Sequence, residues 1–144
     1  MIKKVELNDC SDVAELACRM WDSHDILELK NEFELKLDKD DFALFIKVID
    51  EKIVGFCECS LRYDYVEGTS SSPVGYLEGI FVLEEYRNLG IASSLLAESE
   101  MWAKKKGCTE FASDCELENN DSLKFHLKAG FKEANRIICF KKDL

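Results

Sequence analysis

One stretch, residues 76–106, constrains the fold more than any other part of the chain. Residues 76–83 are almost all apolar, which is typical of a buried strand. The turn Arg-Asn-Leu-Gly-Ile-Ala at 87–92 follows, and the next apolar residues recur at helical spacing: Ile91, Ala92, Leu95, Leu96, Ser99, Trp102 and Ala103. The first N–H groups of a helix have no partner within the helix, and the helix dipole favours negative charge there. Because Gly90 and Ala92 are small, a ligand can approach this backbone, and the stretch predicts an anion site.

The remaining patterns predict a single mixed α/β domain over residues 1–144. Strands are expected at 2–7, 42–49, 53–65, 75–83 and 109–115, with one or two more at 131–141. Helices are expected around 13–21, 25–37, from the turn to 106, and at 119–128. This order predicts a central mixed sheet with helices on both faces.

Charge and cysteine content narrow the classes of partner. The 144 residues include 19 basic and 29 acidic side chains, a net charge of −10, which argues against nucleic acid and anionic membranes. The charge favours a cationic partner, although solubility alone also explains it. Seven cysteines without a CxxC pair predict reduced, mostly buried thiols and no metal site. No signal peptide and no apolar run of roughly 18 residues is present, so a cytoplasmic location is expected.

Two motifs resemble a known superfamily. The R-x-x-G-x-A turn at 87–92 resembles the pyrophosphate-binding turn of the GNAT acetyltransferases. Residues 119–131, N-x-x-S-x-x-F-H-x-x-x-G-F, resemble their last helix and its entry into the final hairpin. The order of elements agrees, so the resemblance implies the GNAT fold with acetyl-CoA as cosubstrate. Expected cofactor-binding residues are the backbone of Ile80, Phe81 and Val82, the turn residues Arg87, Asn88, Leu89, Gly90, Ile91 and Ala92, and Asn119, which alternatively only caps its helix.

Several blocks narrow the resemblance to the aminoglycoside 6′-N-acetyltransferases. They lie at 63–66, 71–74, 77–83, 107–114 and 138–142, and the likeness is thin over 22–56. The resemblance implies an aminoglycoside acetylated on its 6′-amine. It implies drug contacts from Trp21, Tyr65, Glu78 and Asp114. Close relatives carry an acidic residue where this chain has Asn135, while Glu133 nearby remains acidic, and both are expected at the substrate.

The residues themselves agree with a cationic substrate. Glu78 interrupts an apolar strand, where a carboxylate is costly without a partner or a task. Asp114 lies at the end of the next strand, where sheets of this type bind ligands. Simpler interpretations stay open: an outward-facing carboxylate for Glu78, a strand-end cap for Asp114, a core residue for Trp21, and a sheet-packed ring for Tyr65.

The expected mechanism is direct attack of the amine on the thioester within a ternary complex. Glu78, directly or through water, is the expected base, and Asp114 is the second candidate. His126 is either the acid that protonates the leaving thiolate or a residue on the helix face beside the cofactor. The backbone near residues 80–82 is expected to hold the thioester carbonyl, and Gly79 predicts a bulge that opens the strand there.

Two other functions remain open at this point. A GNAT enzyme acting on another cationic amine, such as a polyamine or a protein N-terminus, needs the same acidic site. A non-catalytic module that binds acetyl-CoA or aminoglycosides without turnover is the second alternative. The resemblance also implies a homodimer, since close relatives are commonly dimers, and the apolar residues at 137–140 suit a sheet that extends across subunits.

Overall fold

A computed structural model describes residues 1–22 and 24–144 of the chain. Its strands are β1 (Ile2–Lys4), β2 (Phe42–Ile49), β3 (Lys52–Arg62), β4 (Val74–Val82) and β5 (Phe111–Ser113). Its α-helices are α1 (Cys10–Ala17), α2 (Ile26–Lys36), α3 (Ile91–Lys105) and α4 (Asn120–Lys128). Short 3₁₀ turns at Leu7–Asp9 and Glu84–Tyr86 precede α1 and the turn before α3.

The strands form one sheet in the order β1-β2-β3-β4-β5. The first four are antiparallel neighbours, whereas β5 runs parallel to β4, with α3 providing the crossover that a parallel pair requires. The β4–β5 pairing extends from Gly75 and Phe111 to Leu77 and Ser113. Because β5 ends there and β4 continues to Val82, β5 leaves the last part of β4 uncovered.

Helices pack on both faces of this sheet. Neighbouring residues of β3 point to opposite faces. The Phe56 ring lies 5.8 Å from that of Trp21, which follows α1, whereas a Cβ on Gly55 would lie 3.4 Å from Leu95 of α3. The buried thiol of Cys57, on the Gly55 face, lies 3.0 Å from the Ser99 hydroxyl of α3. The predicted fold class is therefore confirmed.

The prediction of strands at 131–141 is wrong for this chain. Residues 131–144, all of them described, form neither helix nor strand. Ile138 is 81% exposed and Phe140 is 91% exposed. A strand needs a neighbour for its N–H and C=O groups, and this segment pairs with none within the chain. The predicted strands at 2–7 and 109–115 form over shorter spans, Ile2–Lys4 and Phe111–Ser113, in each case.

Neither a membrane span nor a disulfide occurs in the described part of the chain. No helix over residues 1–22 and 24–144 has the length and apolar character needed to cross a membrane. The cysteines are all free thiols, and four of the seven are buried: Cys10, Cys57, Cys59 and Cys108.

Candidate active site

A β-bulge in β4 positions Glu78. Gly79 pairs with Glu58 and Leu77 pairs with Cys59, so Glu78 is the extra residue between them. The predicted bulge is thus confirmed. Its carboxylate accepts a hydrogen bond from Ser60 at 2.6 Å. It is therefore not an outward-facing group without a partner.

Asp114 directly follows β5 and accepts a hydrogen bond from the Tyr76 hydroxyl. Burial, together with this carboxylate, raises the pKa of Tyr76. Arg62 contacts both Glu78 and Tyr76, the partner of Asp114. Its Nε and Nη2 donate to Glu78 at 3.1 and 2.8 Å, and its Cζ lies 3.4 Å from the centre of the Tyr76 ring. Arg62 at the end of β3 and Tyr76 of β4 thus connect Glu78 and Asp114 in one network.

A cavity of about 540 Å³ opens beside Glu78. Trp21 lines it and lies against Gly79 of β4. The other charged side chains that line the cavity are Glu32, Lys36, Lys39, Asp41 and Glu58. Carboxylates outnumber ammonium groups here, which suits a cationic ligand.

Glu58 is a buried carboxylate of this cavity that the sequence analysis did not single out. It lies within β3, is 7% exposed and has Lys36 Nζ at 3.5 Å. Burial raises the pKa of Glu58, and the Lys36 ammonium only partly opposes this. The signal that identified Glu78, a carboxylate inside an apolar strand, also marks Glu58.

The Glu67 carboxylate is a second acidic group, and it binds both Tyr65 and Asn135. The Tyr65 hydroxyl donates to Glu67 at 2.8 Å, and the Asn135 amide donates to the same carboxylate at 3.0 Å. Tyr65 is 79% exposed and lies beyond the end of β3, so it does not pack on the sheet. Glu133 is held by Arg136. The sequence analysis missed Glu67 because its partner Asn135 is 68 positions away.

Residues of the turn at 87–92 line a second cavity, of about 310 Å³. Gly90 is the N-cap of α3 in the left-handed conformation (φ +76°), and no described atom lies within 4 Å of where its Cβ would be. Arg87 Nε donates to the Val82 carbonyl at 2.9 Å and fixes the turn to the end of β4. Of the expected cofactor-binding residues, six line this cavity: Val82, Arg87, Asn88, Gly90, Ile91 and Ala92.

The other expected cofactor-binding residues are not part of the lining of this cavity. Ile80 and Phe81 belong to the part of β4 that β5 leaves uncovered, and Leu89 is exposed. Asn119 caps α4, with its Oδ1 accepting from the Ser122 N–H at 3.1 Å. Lys128 of α4 also lines the cavity and was missed, since nothing in a helical pattern says which ligand a surface lysine faces.

His126 connects α4 to the end of β5. Its Nδ1 lies 2.6 Å from the Ser122 carbonyl oxygen, which can only accept, so Nδ1 carries a proton. Nε2 lies 2.8 Å from the Ser113 hydroxyl. In the neutral ring Nε2 accepts from Ser113, and in the imidazolium it donates to it. The ring is therefore held in one orientation beside the residue that precedes Asp114.

The described residues contain no group of three or more His, Cys, Asp or Glu side chains that could hold a metal ion.

Comparison with known proteins places these features in a family. The model of the acetyltransferase (GNAT) family matches residues 7–131. An aminoglycoside N(6')-acetyltransferase type 1 from Acinetobacter baumannii is 40% identical over 143 residues, covering 99% of this chain and 98% of the relative. Another from Salmonella typhimurium is 43% identical over 125 residues, covering 86% of each chain.

Solved structures agree. AAC(6')-Iy, in complex with the bisubstrate analog CoA-S-monomethyl-acetylneamine, superposes with a TM-score of 0.95 at 38% identity, covering 100% of this chain and 98% of the other. The 6'-N-acetyltransferase AAC(6')-Ih from Acinetobacter baumannii gives 0.94 at 39% identity, with the same coverage. The chain belongs to the acetyltransferase (GNAT) family, among the aminoglycoside N(6')-acetyltransferases of type 1.

Proposed function

We propose that this chain transfers the acetyl group of acetyl-CoA to the 6′-amino group of aminoglycosides. The observation that carries the proposal is the organisation of β4. Its bulge presents Glu78 to an acidic cavity, and its end leads into the Gly90 turn at the start of α3. One strand thus connects a site for a cation with a site for an anion. A solved relative binds an analog that unites the two kinds of ligand.

The turn at 87–92 fits the pyrophosphate of acetyl-CoA. Space is open above Gly90, and the first N–H groups of α3 point outward from the helix start. Arg87 and Lys128, which line the same cavity, add positive charge. The uncovered stretch of β4 at residues 80–82 supplies backbone N–H groups for the pantetheine arm and the thioester carbonyl, where they also stabilise the oxyanion.

The acceptor side fits a polycation with many hydroxyls. The −10 charge of the chain attracts it, and Glu78 and Trp21 offer a carboxylate and an aromatic face. A second set of contacts with the acceptor comes from Tyr65, Glu133 and Asn135. Asn135 carries no charge, but Glu67, to which its amide donates, supplies a carboxylate at that place.

The reaction needs a base because an ammonium group is not a nucleophile. Glu78, directly or through a water molecule, takes a proton from the acceptor's ammonium, and Asp114 is the second candidate. The amine then attacks the thioester carbonyl, so that a C–N bond forms and the C–S bond breaks, and the nitrogen loses its second proton to solvent water. The His126 imidazolium returns a proton to the departing thiolate through its Nε2, the nitrogen that faces Ser113.

Thiol release from acetyl-CoA tests this function. Wild type should release thiol with kanamycin or tobramycin, and fragmentation of the product by mass spectrometry should place the acetyl group on the 6′-amine. Drugs without a 6′-amine should be inert. Release with spermidine or a peptide amine alone would favour an enzyme for another amine, and binding without release would favour a non-catalytic module.

Glu78→Gln tests the base. It should reduce kcat by about a hundredfold or more while leaving the Kd of acetyl-CoA unchanged. Gln has the shape of Glu and keeps an acceptor oxygen for Ser60, so the bulge is preserved. An unchanged kcat over the full pH range would exclude Glu78 as the base.

We further propose that the protein is a cytoplasmic homodimer with no nucleic-acid or membrane partner. Free cysteines suit a reducing compartment. The exposed side chains of Ile137, Ile138 and Phe140 suit pairing with a second copy. Light scattering should give twice the chain mass for wild type and the chain mass for Ile138→Asp. A wild-type monomer would contradict the dimer.

A further inference from the structure

Arg62 occupies both oxygens of the Glu78 carboxylate. Nε donates to Oε1 at 3.1 Å and Nη2 donates to Oε2 at 2.8 Å, while Ser60 also donates to Oε1. A carboxylate has about four lone-pair sites, so this arrangement leaves about one. A guanidinium paired in this way is the strong, bidentate form of the interaction.

The same guanidinium also contacts Tyr76, the hydrogen-bond partner of Asp114. It stacks on the Tyr76 ring, with Cζ 3.4 Å from the ring centre, and the Tyr76 hydroxyl donates to Asp114. A single cation therefore contacts one candidate base directly and the partner of the other. This is the place where a cationic acceptor has to put its reactive ammonium group.

The position of Arg62 also allows its guanidinium to move away from Glu78. It is the last residue of β3, and its side chain is 42% exposed, so the guanidinium can turn into water. Glu78 is 27% exposed and lies within β4, between two residues that pair with β3. Of the two partners, Arg62 is the one at a strand end with solvent beside it.

We infer that Arg62 is a positioning residue whose guanidinium holds Glu78 in place in the free enzyme and competes with the acceptor's ammonium group for it. This inference rests on the proposed function. The acceptor displaces the guanidinium from Glu78 as it binds. The Arg62–Glu78 ion pair therefore favours acceptors that carry enough other cationic groups to displace the guanidinium.

Arg62→Met separates this role from a purely structural one. Met keeps an unbranched apolar stem for the Tyr76 ring but carries no charge. In calorimetry without acetyl-CoA, the variant should bind tobramycin about fivefold more tightly than wild type. Lys3→Met is the control. Lys3 lies on β1, at the far edge of the sheet, and its substitution removes the same charge from an ion pair with Asp9. This variant should leave the Kd of tobramycin unchanged beyond a general charge effect.

Unchanged or weaker tobramycin binding in Arg62→Met would overturn the inference, because it would make Arg62 a support for the site rather than a competitor. A second measurement uses the wild-type protein. The Nε–Hε NMR signal of Arg62 should move to the position of a solvated arginine at saturating tobramycin, and an unmoved signal would overturn the inference as well. Thiol release by wild type with tobramycin is recorded first, so that failure of the proposed function is seen separately.

Discussion

The indole of Trp21 lies directly against Gly79, where an added Cβ would be 2.5 Å from Trp21 Cζ2. The missing side chain at Gly79 is what lets this ring approach β4 beside Glu78. Gly79→Ala should displace the ring and lower the free energy of unfolding by about 1–3 kcal/mol, measured in urea. It should also weaken acceptor binding.

A double-mutant cycle checks that Trp21 is the residue displaced. Trp21→Phe removes the part of the ring that meets the new methyl group. Gly79→Ala should therefore cost at least about 0.5 kcal/mol less in the Trp21→Phe background. Equal costs in the two backgrounds would show that the strain arises at another contact, such as Met20 Cε, which lies 3.1 Å from the added Cβ.

Charge at the Gly90 turn should decide cofactor binding. Asp and Asn have nearly the same shape, and both tolerate the left-handed backbone conformation found at Gly90, φ +76°. Gly90→Asp places a negative charge at the proposed pyrophosphate site and should weaken acetyl-CoA binding by about a hundredfold relative to Gly90→Asn. Calorimetry measures both. Equal affinities would exclude the turn as the pyrophosphate site.

Local patterns made much of this fold predictable. The strand–turn–helix at 76–106 depends on neighbours in sequence, and the bulge at Glu78 followed from one carboxylate and one glycine in an apolar strand. Trp21 was harder to place, because a helical stripe does not say which sheet residue it meets. Its contact with Gly79 joins positions 58 residues apart.

Long-range partners were not predictable from the sequence alone. Ser60 and Arg62 contact Glu78 because the bulge sets the register between β3 and β4, and a single sequence does not encode that register visibly. The strand prediction for the C-terminal segment was wrong for a different reason. Its run of apolar residues at 137–140 is suited to a strand, but a strand also needs a partner, and the single chain offers none to residues 131–144.

The side chain of Asn119 should contribute to stability rather than to cofactor affinity. Its oxygen caps α4 through the Ser122 N–H. Asn119→Ala should lower the free energy of unfolding by about 1 kcal/mol, and Asn119→Ser, which keeps a capping oxygen, should restore most of it. Both variants should bind acetyl-CoA like wild type. Weakened binding in the stable Asn119→Ser variant would instead assign this residue to the pantetheine arm.

Glu58 should make the protein less stable as pH rises. Burial raises its pKa in the folded state, with the charges of Glu32 and Glu78 adding to the effect and Lys36 opposing it. Between the unfolded pKa, about 4.3, and the raised folded value, the folded state holds more protons than the unfolded state. The free energy of unfolding contributed by this group therefore falls with rising pH through that window and is constant above it.

Glu58→Gln removes this titration. The variant should therefore gain stability relative to wild type as pH rises through the window. Urea unfolding at a series of pH values measures this difference. Lys36 is not left alone, because it also pairs with Glu32 at 2.5 Å. Glu15→Gln, on the exposed side of α1, makes the same chemical change without burial and should give a curve parallel to wild type. If the Glu58→Gln curve also ran parallel to wild type, the buried carboxylate would carry no cost in the folded state, and its place in the cavity would need no compensating cation.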